Sequence, residues 1–172
     1  MSLGGEAESR DTRDWCAYLQ ALFTRGIPLS AHMSVRVARI GRTGLEVHAA
    51  GEPNVNVHGT AFAGSLYSLC ALTAWGLLHV ALKTRDLCPE IVLADSRIVF
   101  SAPIVGRLRA HSRFAASADL DRFIRALGKT GKAQIQIPAT VSGPDAMPAA
   151  HFTGTYAVAS PDPGRLSQVS PG

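Results

Sequence analysis

The spacing of hydrophobic positions predicts one helix and a β-hairpin in the first fifty residues. Residues 14–25 carry apolar side chains on one helical face, and Gly26-Ile27-Pro28 ends that pattern. Residues 34–40 and 45–50 instead alternate apolar and polar positions, as strands with one buried face do. The segment between them, residues 41–44, begins and ends with glycine, which is a turn signal. We therefore predict a helix followed by a hairpin.

A continuous apolar run in the middle of the chain predicts a helix that is buried on nearly all sides. The run covers residues 61–82, and we expect the helix from about residue 60 to residue 84. Its length would also suffice to cross a bilayer. The run contains several polar side chains, however, and strand patterns surround it, so we predict a core helix and no membrane span. The polar positions are Ser65, Tyr67, Ser68, Thr73 and His79.

The second half of the chain returns to strand patterns, interrupted by one amphipathic helix. The predicted strands are residues 91–104, 107–114, 132–142 and 151–160, and the helix is residues 119–127, capped by Gly128. This order fits an α+β fold in which a curled antiparallel sheet wraps around the long central helix. We predict one domain over residues 14–160, with loose ends at residues 1–13 and 161–172.

Composition narrows the class of protein. The chain has 172 residues, of which 47% are hydrophobic and 17% charged, as in a globular domain. Its three cysteines lack metal-ligand spacing, and its start lacks a signal-peptide pattern, so we expect a cytoplasmic protein with no metal and no cofactor. Residues 97–132 hold eight basic and two acidic side chains. This excess suits phosphate, coenzyme A or an acidic carrier protein, although an ordinary solvated surface would look the same. Without interleaved aromatics it does not indicate nucleic acid.

The candidate chemistry lies in the polar loop that leads into the central helix. Residues 53–85 contain no Asp or Glu, so the helix offers no carboxylate. Amide and hydroxyl side chains in the loop, and free backbone amides at a helix start, are suited to an oxygen that gains negative charge. Turn formation and helix capping would use the same residue types. We predict catalytic roles for Asn56, Thr60 and Asp95, and substrate contacts for Asn54, His58, Gly59, Phe62, Gly64, Ser65, Arg107 and Arg109.

Residues 53–69, continuing to Trp75-Gly76, resemble the YiiD C-terminal-type thioesterase domains of the hotdog superfamily. Asp95-Ser96-Arg97-Ile98 and the segment after the short helix are similar to later parts of the same family. The resemblance covers about residues 15–160. It implies a hotdog fold, a homodimer with sheets joined edge to edge, and acyl-thioester sites at the dimer interface, with acyl-CoA or acyl-carrier protein as substrate.

One departure from the family pattern leaves the reaction open. The helix carboxylate of many hotdog thioesterases aligns with Ala71, and the family's common histidine aligns with Phe62. Hydrolysis would then need Asp95, His58 or a group of the partner chain to activate water. Some relatives of this type look like malonyl-carrier-protein decarboxylases. Decarboxylation of a malonyl thioester needs no such base. A third possibility is a dimer that binds acyl groups or lipids without catalysis. We predict thioester hydrolysis.

Overall fold

The computed structural model describes residues 4–41 and 44–159, with side chains from residue 14 onward. The elements in chain order are α1 (Gly4–Gly26), α2 (Pro28–His32), β1 (Arg36–Ile40), β2 (Gly44–Ala49), a 3₁₀ turn (Glu52–Asn54), α3 (Ala63–Lys83), β3 (Glu90–Phe100), β4 (Leu108–Arg113), α4 (Ser117–Thr130), β5 (Lys132–Ser142) and β6 (Pro148–Ala159). The predicted order of helices and strands is confirmed, apart from the additional helix α2 and the 3₁₀ turn. The predicted tail, residues 161–172, lies outside the described residues.

Six strands form one antiparallel sheet in the order β1-β2-β4-β5-β6-β3. Strands β1 and β3 are the two edges. The sheet curls around α3, whose packing partners include β2, β3, β4, β5 and β6. The predicted fold, a curled antiparallel sheet around a long central helix, is confirmed.

The core lies between α3 and the inner face of the sheet. Large apolar side chains of α3 such as Leu69 and Leu78 are fully buried there. Gly76 permits close packing, because a Cβ at this position would lie 2.9 Å from the Phe23 ring and 3.0 Å from Leu45. Among the described residues, α3 is the one helix long and apolar enough to cross a membrane. Its place inside the sheet accounts for that apolarity.

The two faces of the sheet differ in chemistry, and the alternation on β4 shows this most clearly. Leu108, Ala110 and Ser112 are buried on the inner face, which packs on α3, while Arg109, His111 and Arg113 occupy the outer face. On β6 the alternate residues Phe152, Gly154, Tyr156 and Val158 are buried on the inner face. The outer face therefore carries the polar positions.

The helices differ from the prediction in several respects. Helix α1 begins at Gly4, ten residues before the expected start, and the five-residue helix α2 was not predicted. Helix α4 continues through Gly128 to Thr130, so the prediction that Gly128 is the cap was wrong. The cap is Gly131, which has the left-handed φ of 70° and donates its N–H to the Leu127 carbonyl at 2.8 Å.

Candidate active site

The helix-entry loop, residues 51–62, is folded around the side chain of Asn56. The Asn56 Oδ1 accepts the backbone N–H groups of His58 at 2.8 Å and Thr60 at 3.3 Å, and its Nδ2 donates to the Thr60 hydroxyl at 3.0 Å. Gly59 supplies the left-handed turn with a φ of 74°. Asn56 and Thr60 thus meet, and each helps to fix the shape of the loop. Their catalytic roles stay predictions.

Asn54 joins three parts of the chain beneath this loop. Its side chain is buried, and Nδ2 donates to the carbonyls of Met33 at 2.9 Å and Ala50 at 2.8 Å. Its own carbonyl accepts the N–H of Phe62 at 2.7 Å. Both amide hydrogens of Asn54 are therefore used inside the fold. The structure gives Asn54 a structural role and leaves it no free N–H for a substrate carbonyl.

The first turn of α3 presents free backbone donors. Phe62, in an extended conformation, precedes the helix and provides no side-chain cap, and the first turn contains no acid. The first helical hydrogen bond runs from the Leu66 N–H to the Phe62 carbonyl. Within the described residues, the N–H groups of Ala63, Gly64 and Ser65 have no partner. Three donors and the positive end of the helix dipole thus point out of the helix start.

The ring of Phe62 covers this helix start from one side. Phe62 is 53% exposed, and its Cε1 would lie only 2.4 Å from a Cβ at Gly64. The ring can take this place because Gly64 has no side chain. The two residues, both predicted to contact substrate, therefore form one wall of the entrance to the helix start.

An apolar groove of about 300 Å³ runs along α3 from its second turn. It is lined by Ile27, Leu29, Tyr67, Ser68, Ala71, Leu72, Trp75, Leu93 and Tyr156. The Trp75 Nε1 donates to the Ile91 carbonyl at 3.2 Å, and the Tyr156 hydroxyl donates to the Ala71 carbonyl at 2.9 Å. Burial raises the pKa of Tyr156, so this hydroxyl stays neutral. This groove was not predicted from the sequence, although residues 67, 68, 71, 72 and 75 recur at helical spacing.

Asp95 lies on the outer face of β3, away from α3. A bulge between Leu93 and Asp95 shifts the alternation of the strand, so that Ser96 and Ile98 take the inner positions. The Tyr67 hydroxyl and the Ser96 Oγ accordingly lie 2.7 Å apart, whereas Asp95 is exposed. The prediction that Asp95 serves as a base reaching the helix start has no geometric support within the subunit.

The basic residues counted within residues 97–132 lie at more than one place in the fold. Arg107 is exposed and lies beside the helix-entry loop. The preceding residue, Gly106, packs closely against Gly51 of that loop, because a Cβ on Gly51 would lie only 2.7 Å from the Gly106 carbonyl oxygen. Arg109 follows on the outer face. Arg113 pairs with Gly44 at the far end of β4. Lys129 and Lys132 flank the end of α4, at a third place.

An aromatic stack connects the groove to α1. The rings of Trp75 and His79 lie 4.7 Å apart, and His79 Nε2 lies 3.0 Å from the Tyr18 hydroxyl. Burial, followed by the nearby charge of Lys83, lowers the pKa of His79. The imidazole is thus held neutral beside one wall of the groove. Elsewhere in the described chain, no three His, Cys, Asp or Glu side chains converge as metal ligands would.

Residues 16–160 match the family model described as “Putative thioesterase (yiiD_Cterm)”. The chain belongs to this family. Membership in the YiiD C-terminal family supports activity on acyl thioesters in general and agrees with the resemblance found in the sequence. The match covers α3, the helix-entry loop and every strand of the sheet.

Solved structures show the same fold. A protein “with unknown function” from Chlorobaculum tepidum is 26% identical, with a TM-score of 0.81 over 87% of this chain and 97% of that one. A “putative thioesterase” from Shewanella oneidensis is 28% identical, with a TM-score of 0.74 over 87% and 99%. A “Probable Thioesterase” from Pseudomonas aeruginosa, at 17% identity, reaches 0.74 over 84% and 95%. The chain thus has the hotdog fold of these thioesterase-like neighbours.

Proposed function

We propose that the protein hydrolyses acyl thioesters at the start of α3. The observation that carries this proposal is one helix that combines two features. Its first turn presents the unpartnered N–H groups of Ala63, Gly64 and Ser65, and its next turns form the wall of the apolar groove. A thioester needs both, because its carbonyl oxygen becomes an oxyanion and its acyl chain needs burial.

The bound thioester would place its carbonyl oxygen against the free amides and its acyl chain along the groove towards Trp75. A water oxygen then attacks the carbonyl carbon, and the amides stabilise the tetrahedral oxyanion. Collapse of this intermediate breaks the carbon–sulfur bond. The proton taken from water goes to the leaving sulfur, so the products are a free acid and a free thiol. Phe62 limits the access of bulk water to the entrance.

His58 is our candidate for the group that takes the proton from water. Within the described residues α3 carries no carboxylate, and Asp95 faces away from it. His58 lies in the helix-entry loop, with its backbone N–H held by Asn56. An unprotonated imidazole nitrogen can accept a proton from water, as a general base must. His58→Gln should lower kcat by about 10²-fold or more.

Decarboxylation of a malonyl thioester is the second candidate. The specific observation in its favour is the absence of Asp and Glu from residues 53–85, together with the outward position of Asp95. Loss of carbon dioxide leaves an enolate, which the same free amides would stabilise without any base. Protonation of the enolate carbon by water would then give an acetyl thioester. Binding of acyl groups without turnover is the remaining possibility.

We further propose that the protein works as a homodimer or a higher homo-oligomer. Strand β3 has eleven residues, forms one edge of the sheet and pairs only with β6 in the described chain. Its exposed apolar side chains include Val92, Val99 and Phe100. A long edge with these properties invites pairing with a second copy. Sedimentation at micromolar concentration should give a species of at least twice 18.1 kDa.

The thiol-bearing group of the substrate is proposed to be coenzyme A or an acyl-carrier protein, in the cytoplasm. Arg107 stands at the rim of the helix-entry loop, where a phosphate of either arm could pass. The three cysteines are free thiols, which fits a reducing compartment. These features support the assignment of carrier and compartment.

Product analysis separates the three candidates. The protein is incubated with acetyl, straight-chain acyl and malonyl thioesters, and the products are identified by mass spectrometry alongside an assay for free thiol. Hydrolysis releases thiol and acid. An acetyl thioester formed from the malonyl substrate would establish decarboxylation, and ligand retention without product would establish a binding protein.

A further inference from the structure

The outer face of β1, β2 and β4 carries a concentrated positive surface. We call it the basic strip and define it by six side chains, Arg36, Arg39, His48, Arg109, His111 and Arg113. They stand in cross-strand rows, because Arg36 is opposite His48 and His48 is opposite Arg109. Arg113 extends the strip to the start of β2. None of the six belongs to the wall of the groove along α3.

The strip holds one acid, and that acid is already paired. Glu46 lies 2.7 Å from His48 Nε2 and 3.6 Å from Arg39 Nη2. The hydrogen bond from His48 and the charges around it lower the pKa of Glu46. An ordinary solvated face mixes charges of both signs. Here four arginines share a single carboxylate, and the Nε of Arg109 is buried without a partner among the described residues.

The dimensions of the strip fit a helix better than a small anion. The strip itself, from Arg109 to Arg113, spans about 13 Å of extended chain, and Arg107 at the rim extends the basic surface to about 20 Å. Three adjacent strands give a width of about 10 Å. An α-helix with its side chains is about 10 Å wide, and about four turns of it would cover this length. One nucleotide would contact only one end.

The strip also ends at the proposed active site. The chain leaves it after His48 to form the helix-entry loop and enters it again after Gly106. These two segments are bonded together at the helix start, where the N–H of Ala61 donates to the Ile104 carbonyl at 2.8 Å. A flexible arm that begins on the strip would therefore need to pass only this rim to reach α3.

From this arrangement we infer that the basic strip docks the acidic helix of an acyl-carrier protein, whose thioester arm then enters past Gly51 and Gly106. The inference rests on the proposed function for the identity of the cargo. It assigns the recognition of the carrier to the outer face, separately from the free amides that bind the thioester. Complementary charge at this distance guides encounter and orientation, and it is weakened by salt.

Binding can be measured without turnover, by fluorescence anisotropy of a labelled holo-acyl-carrier protein at low ionic strength. The double variant Arg36→Glu/Arg39→Glu should raise Kd about tenfold or more, and added salt should weaken binding of the unmodified protein. The control is Arg122→Glu/Arg125→Glu on α4. It makes the same charge change, and it also breaks one surface ion pair, Arg122 with Asp119 at 3.3 Å. This control should bind within about twofold of the unmodified protein.

Equal loss in both double variants would overturn the inference, because the effect would then follow net charge alone. Tighter binding of an oligonucleotide or of anionic lipid vesicles than of the carrier would also overturn it. Turnover of a small N-acetylcysteamine thioester tests the proposed function separately. Absence of that turnover, with strip-dependent carrier binding intact, would refute hydrolysis and leave the docking surface standing.

Discussion

Filling the groove along α3 should shorten the acyl chains that the protein accepts. Ala71 lies in the middle of the groove wall, and Ala71→Leu places three additional carbon atoms there. If they displace about three methylene groups of a long acyl chain, the loss is about 2.4 kcal/mol, at about 0.8 kcal/mol for each buried methylene. This corresponds to about fifty-fold in kcat/KM for long-chain substrates. Acetyl thioester, which does not reach Ala71, should change by less than about twofold.

The assay is a series of kcat/KM values for thioesters of increasing chain length, measured for the unmodified protein and the variant. The matched control is Ala126→Leu, the same substitution at an exposed position of α4. Sedimentation shows whether assembly is kept. An equal loss at every chain length, or no loss at any, would refute the assignment of this groove to the acyl chain.

Three further predictions concern the supports of the site. Asn54→Ala should lower the free energy of unfolding by about 2–4 kcal/mol in chemical denaturation, because the carbonyls of Met33 and Ala50 lose their donor; a change below about 1 kcal/mol would contradict this. Gly64→Ala should lower kcat/KM on the order of tenfold by displacing the Phe62 ring, and should cost little in a Phe62→Ala background; equal costs in both would disprove the clash. Because the pKa of His79 is lowered in the folded protein, the unfolded chain binds a proton at a higher pH than the folded protein does. Stability should therefore fall as pH drops through the ordinary His pKa of 6.5, and it should fall less in His79→Gln. Identical pH dependence of the two proteins would show that His79 is not responsible.

The sheet and the central helix could be predicted because their signals are local. Strands β2, β4 and β6 show a two-residue alternation because one face of each strand is buried. The run of α3 is apolar because nearly all sides of this helix are buried. Helix α2 was missed because its five residues, Pro28–His32, are too few to show a period. The end of α4 was misplaced because two glycines, at 128 and 131, were equally possible caps, and only the backbone conformation distinguishes them.

The candidate site could be predicted only where it is made from one continuous segment. The helix-entry loop and the start of α3 are such a segment. Asp95 was expected to reach the site because it lies on the strand that follows the central helix, and the bulge between Leu93 and Asp95 turns it to the outer face. A one-residue shift of this kind has no reliable signal in a single sequence. The groove forms where β3, β6 and the residues around α2 pack against α3. No local sequence pattern specifies these contacts.

Turnover of an acyl thioester in water enriched in oxygen-18 would establish or exclude hydrolysis. We expect release of free thiol and an acid that carries one solvent oxygen per turnover, because water attacks the carbonyl held at the start of α3. An unlabelled acetyl thioester formed from malonyl thioester, or no product from any thioester of the series, would contradict it.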